Sequence, residues 1–213
     1  MILYHFPTSP FARRVRLAMA HKGLTAELRD VRASDEYQRD VQRLNPLHTV
    51  PVLVDGDRVV SDSGAICHYL DRQWPAAPLW PAGIAGADAF QVVALVDGVL
   101  QTFADLGLRY RSLHGDPSFA AVREQMVQGR AQRALDALAA RASARAPGEP
   151  LCGTWSCADM AVFTLVAWLE SLPARAAVFP LVQHVIDLGW KLPPPLAAWA
   201  APLRARPDVA ALG

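Results

Sequence analysis

The sequence is poor in cysteine and contains no long uninterrupted apolar run. Its three cysteines, Cys67, Cys152 and Cys157, are odd in number and follow no pairing pattern, which excludes a disulfide framework and indicates a reducing compartment. The longest apolar run, residues 160–169, is about half of the roughly 20 residues that a membrane span needs. The N-terminus shows no basic stretch followed by a long apolar one, so no secretory signal is predicted. We therefore expect a cytoplasmic protein with no membrane partner.

Lysine is also scarce, and charge of either sign is nearly balanced. The chain has 21 basic and 20 acidic residues, and Lys22 and Lys191 are its only lysines. This balance argues against nucleic acid as a partner, and we interpret the excess of arginine as a compositional bias.

Cys67 and Cys157 fall within predicted helices and are interpreted as packed small side chains, so no metal site is predicted. With 52% hydrophobic residues, the chain can bury a substantial core.

The N-terminal third of the chain predicts a small α/β domain. The predicted elements are a strand over residues 2–6, a helix from Phe11 to Gly23, a strand over 26–31, a helix over 35–44, a hairpin over 50–60 with an Asp-Gly turn, and a helix over 61–74. A strand, a helix and a strand of these lengths form a βαβ unit with parallel pairing. A βαβ unit followed by αββα is the thioredoxin-like arrangement, with a mixed four-stranded sheet.

The rest of the chain predicts an all-helical domain. A proline-rich segment at residues 75–81, followed by Gly83 and Gly86, is typical of a linker. We therefore predict domains over residues 1–76 and 87–213, with a linker over 77–86. Past the linker, the pattern predicts long helices over 87–114 and 118–146, an apolar helix over 155–172, and shorter helices from Pro173 onward.

Thr8 and Ser9 lie between the first strand and the first helix. The backbone amides at the N-terminus of that helix point toward this position. Pro10 suits the first turn of that helix, because its missing N–H costs nothing there. A hydroxyl at this position can donate a hydrogen bond to an anion, and the helix dipole adds to the effect. A free thiol has a pKa of about 8.5 and is mostly protonated at neutral pH. A hydrogen-bond donor at this position would stabilise the thiolate of a bound substrate. Ser9 is a candidate for this role, and simple capping of the helix is the alternative.

Two further segments each allow two interpretations. A cis Val50–Pro51 bond would leave the backbone of Val50 free to pair with an extended peptide, whereas a trans proline at the first residue of a strand is the ordinary alternative. Ser63 can hold a carboxylate at a helix N-terminus, and Asp62 can pair with an ammonium group. Capping of the helix is the alternative for this second pair.

Three motifs in this order and spacing resemble the glutathione transferase family. They are Ser-Pro-Phe-x-x-Arg-Val at residues 9–15, Asn-Pro-x-x-x-Val-Pro-Val-Leu at 45–53 and Asp-Ser-x-x-Ile-x-x-Tyr-Leu at 62–70. The chain is similar particularly to the serine-type branches and to bacterial members. A capping box at residues 156–159 and the segment 198–207 extend the resemblance over nearly the whole chain.

The resemblance implies an enzyme that conjugates the thiolate of glutathione to small hydrophobic electrophiles, with glutathione as co-substrate, no metal and a homodimeric assembly. Ser9 would stabilise the thiolate, Val50 would pair with the cysteinyl backbone beside a cis Pro51, and Asp62 with Ser63 would hold the γ-glutamyl end. The implied glutathione-binding residues are Thr8, Phe11, His48, Thr49, Val50, Pro51, Asp62 and Ser63.

Four residues of the first long helix share one face and are predicted to form the wall of the electrophile site: Leu106, Arg109, Tyr110 and Leu113. The periodicity is equally typical of a core face or of a dimer face.

The sequence departs from the family pattern before the Val-Pro pair. Family members commonly carry Gly-Lys or another long polar residue there, whereas this chain has His48 and Thr49. Thr49 is too short to reach far, so His48 or an accessory residue such as Arg39 is expected to hold the glycyl carboxylate instead.

The residues around Ser9 argue against two other activities. Thiol–disulfide chemistry of the glutaredoxin type would need Cys-Pro-x-Cys where the chain has Ser9 to Ala12. The branch that resembles maleylacetoacetate isomerase usually shows Ser-Ser-Cys at this site, which is not present here. The alternative that is not an enzyme is a glutathione-transferase-like module that binds a protein. Ser9, Asp62 and Ser63 argue against that module, and the missing lysine argues for it.

Overall fold

The N-terminal part of the chain is built around a four-stranded mixed sheet. The computed structural model describes residues 1–113 and 115–212. The strands are Ile2–His5 (β1), Glu27–Asp30 (β2), Val52–Asp55 (β3) and Arg58–Ser61 (β4), in the order β2-β1-β3-β4. β1 runs parallel to β2 and antiparallel to β3, and β3 and β4 form the predicted hairpin. The predicted thioredoxin-like arrangement is confirmed.

Helices cover both faces of the sheet. They are Pro10–His21 (α1), Asp35–Leu44 (α2) and Ser63–Gln73 (α3). Because side chains alternate along a strand, Leu3 and Leu53 of the central strands face the main core, and Tyr4 and Val52 face a smaller cluster with Val41 of α2. Burial on both faces explains why β1 and β3 are apolar up to their last residues, His5 and Asp55.

The C-terminal part is helical, as predicted. Its elements are Ile84–Leu113 (α4), Pro117–Met126 (α5), a π-helical segment Val127–Gln132, Arg133–Ser143 (α6), Cys157–Ala176 (α7), Pro180–Ile186 (α8), Pro194–Ala200 (α9), a 3₁₀ turn Ala201–Ala205 and Pro207–Ala210 (α10). The sheet domain joins this bundle mainly through α1, which packs against α7.

Three boundaries differ from the prediction. α4 begins at Ile84, within the predicted linker, and the predicted helix over 118–146 contains a π-helical segment. α7 continues through Pro173 to Ala176, although the proline predicted an end at Leu172. A proline removes one backbone donor but does not end a helix that tertiary packing holds, and Leu169 and Leu172 before it are fully buried.

α7 is the central helix of the molecule. It packs against α1, α4 and α8, and its N-terminus carries the predicted capping box of Ser156 and Asp159.

Two helical stretches, Ile84–Tyr110 and Cys157–Ala176, are long and apolar enough to cross a membrane by length and composition alone. The stretch in α7 is largely buried inside the protein, as is typical of a core helix.

Candidate active site

Ser9 lies in the loop between β1 and α1 and is 3% exposed. Its Oγ accepts a hydrogen bond from the backbone N–H of Ala12 at 3.3 Å, and its carbonyl accepts the first helical bond from Arg13 N–H at 2.9 Å. Ser9 therefore caps α1, as the alternative interpretation expected. A hydroxyl that accepts a bond still has its own proton to donate, so capping does not exclude a second role.

Thr8 connects this loop to the far end of α7. Its Oγ1 accepts a hydrogen bond from Arg175 Nη2 at 3.2 Å, across 167 positions of the chain. The sequence interpretation did not include Arg175, because it ended the third long helix at Leu172. No local pattern marks Arg175, and only the tertiary contact places it beside Thr8.

The Val50–Pro51 bond is cis, the first of the two alternatives. The paired register of β3 begins at Val52, so Val50 lies just beyond the strand ladder. Asn45, which is buried, donates from Nδ2 to the carbonyl oxygen of Thr49 at 2.8 Å and to its Oγ1 at 3.1 Å. His48 is exposed and has a φ of 53°. Asn45 therefore anchors the turn that leads to Val50 and engages the hydroxyl of Thr49.

Asp62 and Ser63 lie where β4 meets α3. Asp62 is exposed, has a φ of 75°, and accepts the backbone N–H of Ala65 at 2.9 Å. Ser63 is buried, and its Oγ accepts a hydrogen bond from Arg14 Nη1 at 3.2 Å. Asp62 thus caps α3, and the hydroxyl of Ser63 is held by a residue from another helix.

Arg14 is a central residue of the site that the sequence interpretation quoted in a motif without assigning it a role. Its side chain is fully buried and donates from Nη2 to Asp97 of α4 at 2.6 Å. Burial by itself lowers the pKa of the Arg14 guanidinium, but the charge of Asp97 and the hydrogen bond to it outweigh burial and raise the pKa. The guanidinium of Arg14 also lies over the half-buried ring of Phe11, 5.8 Å from its centroid. Arg14 therefore links α1, α3 and α4 around the predicted glutathione-binding residues.

The four predicted wall residues do not share one environment. Leu106 is 3% exposed and belongs to the hydrophobic core, so the core alternative describes it. Tyr110 packs between Phe119 and His184, with ring centroids 6.0 Å and 5.2 Å away. Arg109 and Leu113 are exposed on α4. Leu106 is therefore unavailable to a ligand, and the wall predicted for the other three residues stays a prediction.

Within residues 1–113 and 115–212, no group of three or more His, Cys, Asp or Glu side chains could hold a metal ion.

Comparison with known proteins finds a matching family for the N-terminal domain. Residues 3–78 match the family described as glutathione S-transferase, N-terminal domain. The chain is 40% identical over 112 residues to glutathione S-transferase Z1 of Arabidopsis thaliana, a match that covers 51% of each protein.

The N-terminal domain of this chain thus matches that of the glutathione S-transferases. The chain is also 40% identical over 99 residues, or 45% of each protein, to a probable maleylacetoacetate isomerase of Vibrio cholerae. The matched segments thus span about half the length of these curated relatives. Among solved structures, the chain is similar to a glutathione S-transferase from Methylobacillus flagellatus with glutathione bound, with a TM-score of 0.75, 27% identity and coverage of 100% of this chain and 98% of that one.

Proposed function

We propose that this protein is a glutathione transferase that conjugates the thiolate of glutathione to small hydrophobic electrophiles. The thiol proton passes to solvent, the sulfur bonds to an electrophilic carbon, and a leaving group such as chloride departs with the electrons of its bond. The observation that supports the proposal is the position of Ser9 at the N-terminus of α1, where a hydroxyl proton and the helix dipole would act on the same thiolate.

The glutathione tripeptide would lie along the β3–α3 side of the site. The backbone of Val50, beyond the strand ladder, supports pairing with the cysteinyl residue. Asp62 uses one oxygen as a cap, and a carboxylate has further acceptor positions for the γ-glutamyl ammonium group. Ser63 presents its backbone N–H at the N-terminus of α3 to the γ-glutamyl carboxylate. Thr8 and Phe11 would line the sulfur end.

The glycyl carboxylate is assigned to His48 in preference to Thr49. The hydroxyl of Thr49 is already bonded to Asn45, whereas the imidazole of His48 is exposed beside the same turn. Arg39 is exposed on α2 and would assist only at longer range. Arg109, Tyr110 and Leu113 remain the proposed wall for the electrophile, without Leu106. The homodimer and the cytoplasmic location implied by the resemblance remain predictions.

A second candidate function is a non-catalytic interaction module. It is favoured by the burial of Ser9, whose hydroxyl oxygen is already committed to Ala12 N–H, and by the missing lysine before Val50. In such a module Ser9, Asp62 and Ser63 would be kept only as helix caps.

Calorimetric titration of the full chain with glutathione separates the two functions. The transferase predicts saturable binding below millimolar concentration, with ultraviolet absorbance of the thiolate in the complex at neutral pH. Glutathione that binds without thiolate absorbance would contradict the role of Ser9. No heat of binding at millimolar glutathione would favour the module.

A further inference from the structure

A cavity opens at the far end of α1 from Ser9. Its volume is about 740 Å³, which is within the range of small-molecule sites. Three segments contribute to its lining: residues 16–23 at the end of α1, residues 24–28 that lead into β2, and residues 206–212 around α10. Met19, in the lining of this α1–α10 cavity, lies about 15 Å from Ser9 along the axis of the helix. The lining shares no residue with the predicted glutathione-binding set or with the predicted electrophile wall.

The cavity exists because the edge of the sheet is only partly covered. β2 is an outer strand, and its Leu28 pairs in register with Leu3 of β1, so both side chains lie on the same face of the sheet. Leu3 is fully buried in the main core, whereas Leu28 is 47% exposed. α10 packs against α1 and leaves this corner open, with Met19, Leu24 and Leu212 in the same lining as Leu28. Such a surface favours a ligand with an apolar body.

The charged groups of the lining leave Arg16 without a carboxylate partner. Asp208 accepts hydrogen bonds from Nε and Nη2 of Arg206 at 3.0 Å each, and it lies 3.4 Å from Nδ1 of His21. Arg16 is half-buried and donates from Nη2 to the carbonyl oxygen of Leu212 at 2.7 Å. Within residues 1–113 and 115–212, no side-chain carboxylate lies within 4.0 Å of its guanidinium nitrogens. The lining therefore combines apolar surface with a cation whose charge is not balanced there.

The surroundings of Arg16 favour an anion as ligand. Burial lowers the pKa of its guanidinium, and the positive charge of Arg13 lowers this pKa further. Burial also lowers the pKa of His21, although Asp208 acts in the opposite direction, so the imidazole is neutral at neutral pH. A carboxylate in the cavity would be attracted to Arg16, because a guanidinium binds a carboxylate through charge-assisted hydrogen bonds.

We propose that the α1–α10 cavity binds a small carboxylic acid with an apolar body, as a ligand and not as a substrate. The carboxylate pairs with Arg16, and the apolar body packs against Met19 and Leu28. A ligand in this position contacts α1, the start of β2 and α10 together. The inference goes beyond the proposed function and does not depend on it, because the cavity lies apart from the candidate active site.

The test compares octanoate with 1-octanol, which share an apolar chain and differ in the head group, by calorimetric titration of the full chain. We expect octanoate to bind about tenfold more tightly, because only the carboxylate pairs with Arg16. Arg16→Gln should reduce this preference to about twofold or less. Arg145→Gln removes a charge from an exposed position just beyond α6 and should leave the preference unchanged. Equal affinity of the wild type for the two probes, or no heat of binding with either, would overturn the proposal.

A second variant tests the cavity and keeps the hydrogen bond between Arg16 and Leu212. Leu28→Glu places a negative charge in the lining at an exposed position and should weaken the binding of octanoate by about tenfold or more. Val59→Glu is the matched control, because Val59 lies on the other outer strand of the sheet, β4, and is 41% exposed. It should keep the affinity of the wild type. Equal losses in the two variants, or no loss in Leu28→Glu, would contradict binding in this cavity.

Glutathione distinguishes the cavity from the candidate active site. The Kd for octanoate should be the same with and without saturating glutathione, and octanoate should not compete with a chlorodinitrobenzene during turnover. Competition with either compound would place octanoate in the candidate active site and overturn the inference. A chain that binds octanoate with the expected preference but does not bind glutathione would support the cavity ligand and contradict the proposed transferase.

Discussion

At the scale of single residues, two serine hydroxyls cap helix N-termini. Ser9 accepts the N–H of Ala12, and Ser34 accepts the N–H of Glu36 at the start of α2 in the same way. Both caps contribute stability, but only Ser9 lies beside the loop that α7 reaches through Thr8. Both hydroxyls keep a proton to donate, so the proposed catalytic role of Ser9 depends on its place beside this loop.

Replacement of Ser9 by alanine should lower both stability and turnover. Loss of the cap is expected to reduce the free energy of unfolding by about 1 kcal/mol. Loss of the hydroxyl proton should reduce kcat with a chlorodinitrobenzene by about tenfold or more, because the thiolate loses a hydrogen bond. The Kd for glutathione, measured by calorimetry, should change less than twofold, since the tripeptide is held elsewhere.

Ser34→Ala is the matched control for Ser9→Ala. It removes an equivalent cap and should reproduce the loss of stability in urea unfolding with no loss of turnover. If Ser9→Ala keeps the wild-type kcat, the sulfur is stabilised by Thr8 or by backbone amides, and the proposed role of Ser9 is wrong.

At the scale of elements, α7 depends on a buried carboxylate at its start. Asp159 is fully buried and accepts hydrogen bonds from Leu151 N–H at 2.7 Å, and from the N–H and hydroxyl of Ser156 at 2.9 Å each. These bonds satisfy donors that packing has removed from water. Leu79 of the interdomain segment joins the same helix start, because its carbonyl accepts the N–H of Cys157 at 2.8 Å. The N-terminus of α7 therefore fixes the path of the chain between the two domains.

The titration of Asp159 should make stability depend on pH. Burial raises the pKa of Asp159 above its ordinary value, although hydrogen bonds from Leu151 and Ser156 act in the opposite direction. The folded protein therefore holds this proton at a pH where the unfolded chain has lost it. The contribution of Asp159 to stability should fall as pH rises from the unfolded pKa of about 3.9 through the higher folded pKa.

Urea unfolding of the wild type and of Asp159→Asn across this pH range measures the effect. The variant cannot titrate at this position, so the difference in unfolding free energy between wild type and variant should shrink as pH rises. Asp105→Asn, at an exposed position of α4, is the control and should keep the wild-type profile. Parallel profiles for Asp159→Asn and the wild type would contradict this prediction.

At the scale of the whole molecule, an ion pair with a buried arginine joins the two domains. Arg14 of the first domain is fully buried and pairs with Asp97 of the second, whose side chain is 34% exposed. The same guanidinium holds Ser63, so the pair couples the start of α3 to α4. A buried charge whose partner is removed is strongly destabilising, whereas exposed ion pairs contribute little.

Asp97→Asn should therefore lower the free energy of unfolding by about 3 kcal/mol, because it leaves the charge of Arg14 buried and unpaired. Glu170→Gln breaks the exposed pair between Glu170 and Arg204 and should cost less than about 1 kcal/mol. Adding Arg14→Met to Asp97→Asn should recover part of the loss. Equal costs for the two single variants in urea unfolding would show that Arg14 is solvated and that the domains are held by apolar packing alone.

Local patterns were sufficient for the order of elements and for most of the residues at helix starts. Alternation and periodicity predicted all four strands and the helix over residues 35–44, because the apolar face of each element is written into consecutive residues. Ser9, Asp62 and the capping box of α7 were predicted for the same reason, since a cap lies next to the helix that it serves. The helix end predicted at Pro173 is wrong, because packing of the buried residues before it, such as Leu169 and Leu172, outweighs the local effect of a proline.

Only the tertiary structure decided which side chains meet. Arg14 reaches Ser63 across 49 positions and Asp97 across 83, and Arg175 reaches Thr8 across 167. A sequence pattern specifies the face that a helix buries but not the partner that covers this face, because that choice depends on the packing of elements far apart in the chain. The sequence by itself thus determined the sheet, the helix starts and the candidate thiolate site, and the fold alone brought Arg14 to Ser63 and Arg175 to Thr8.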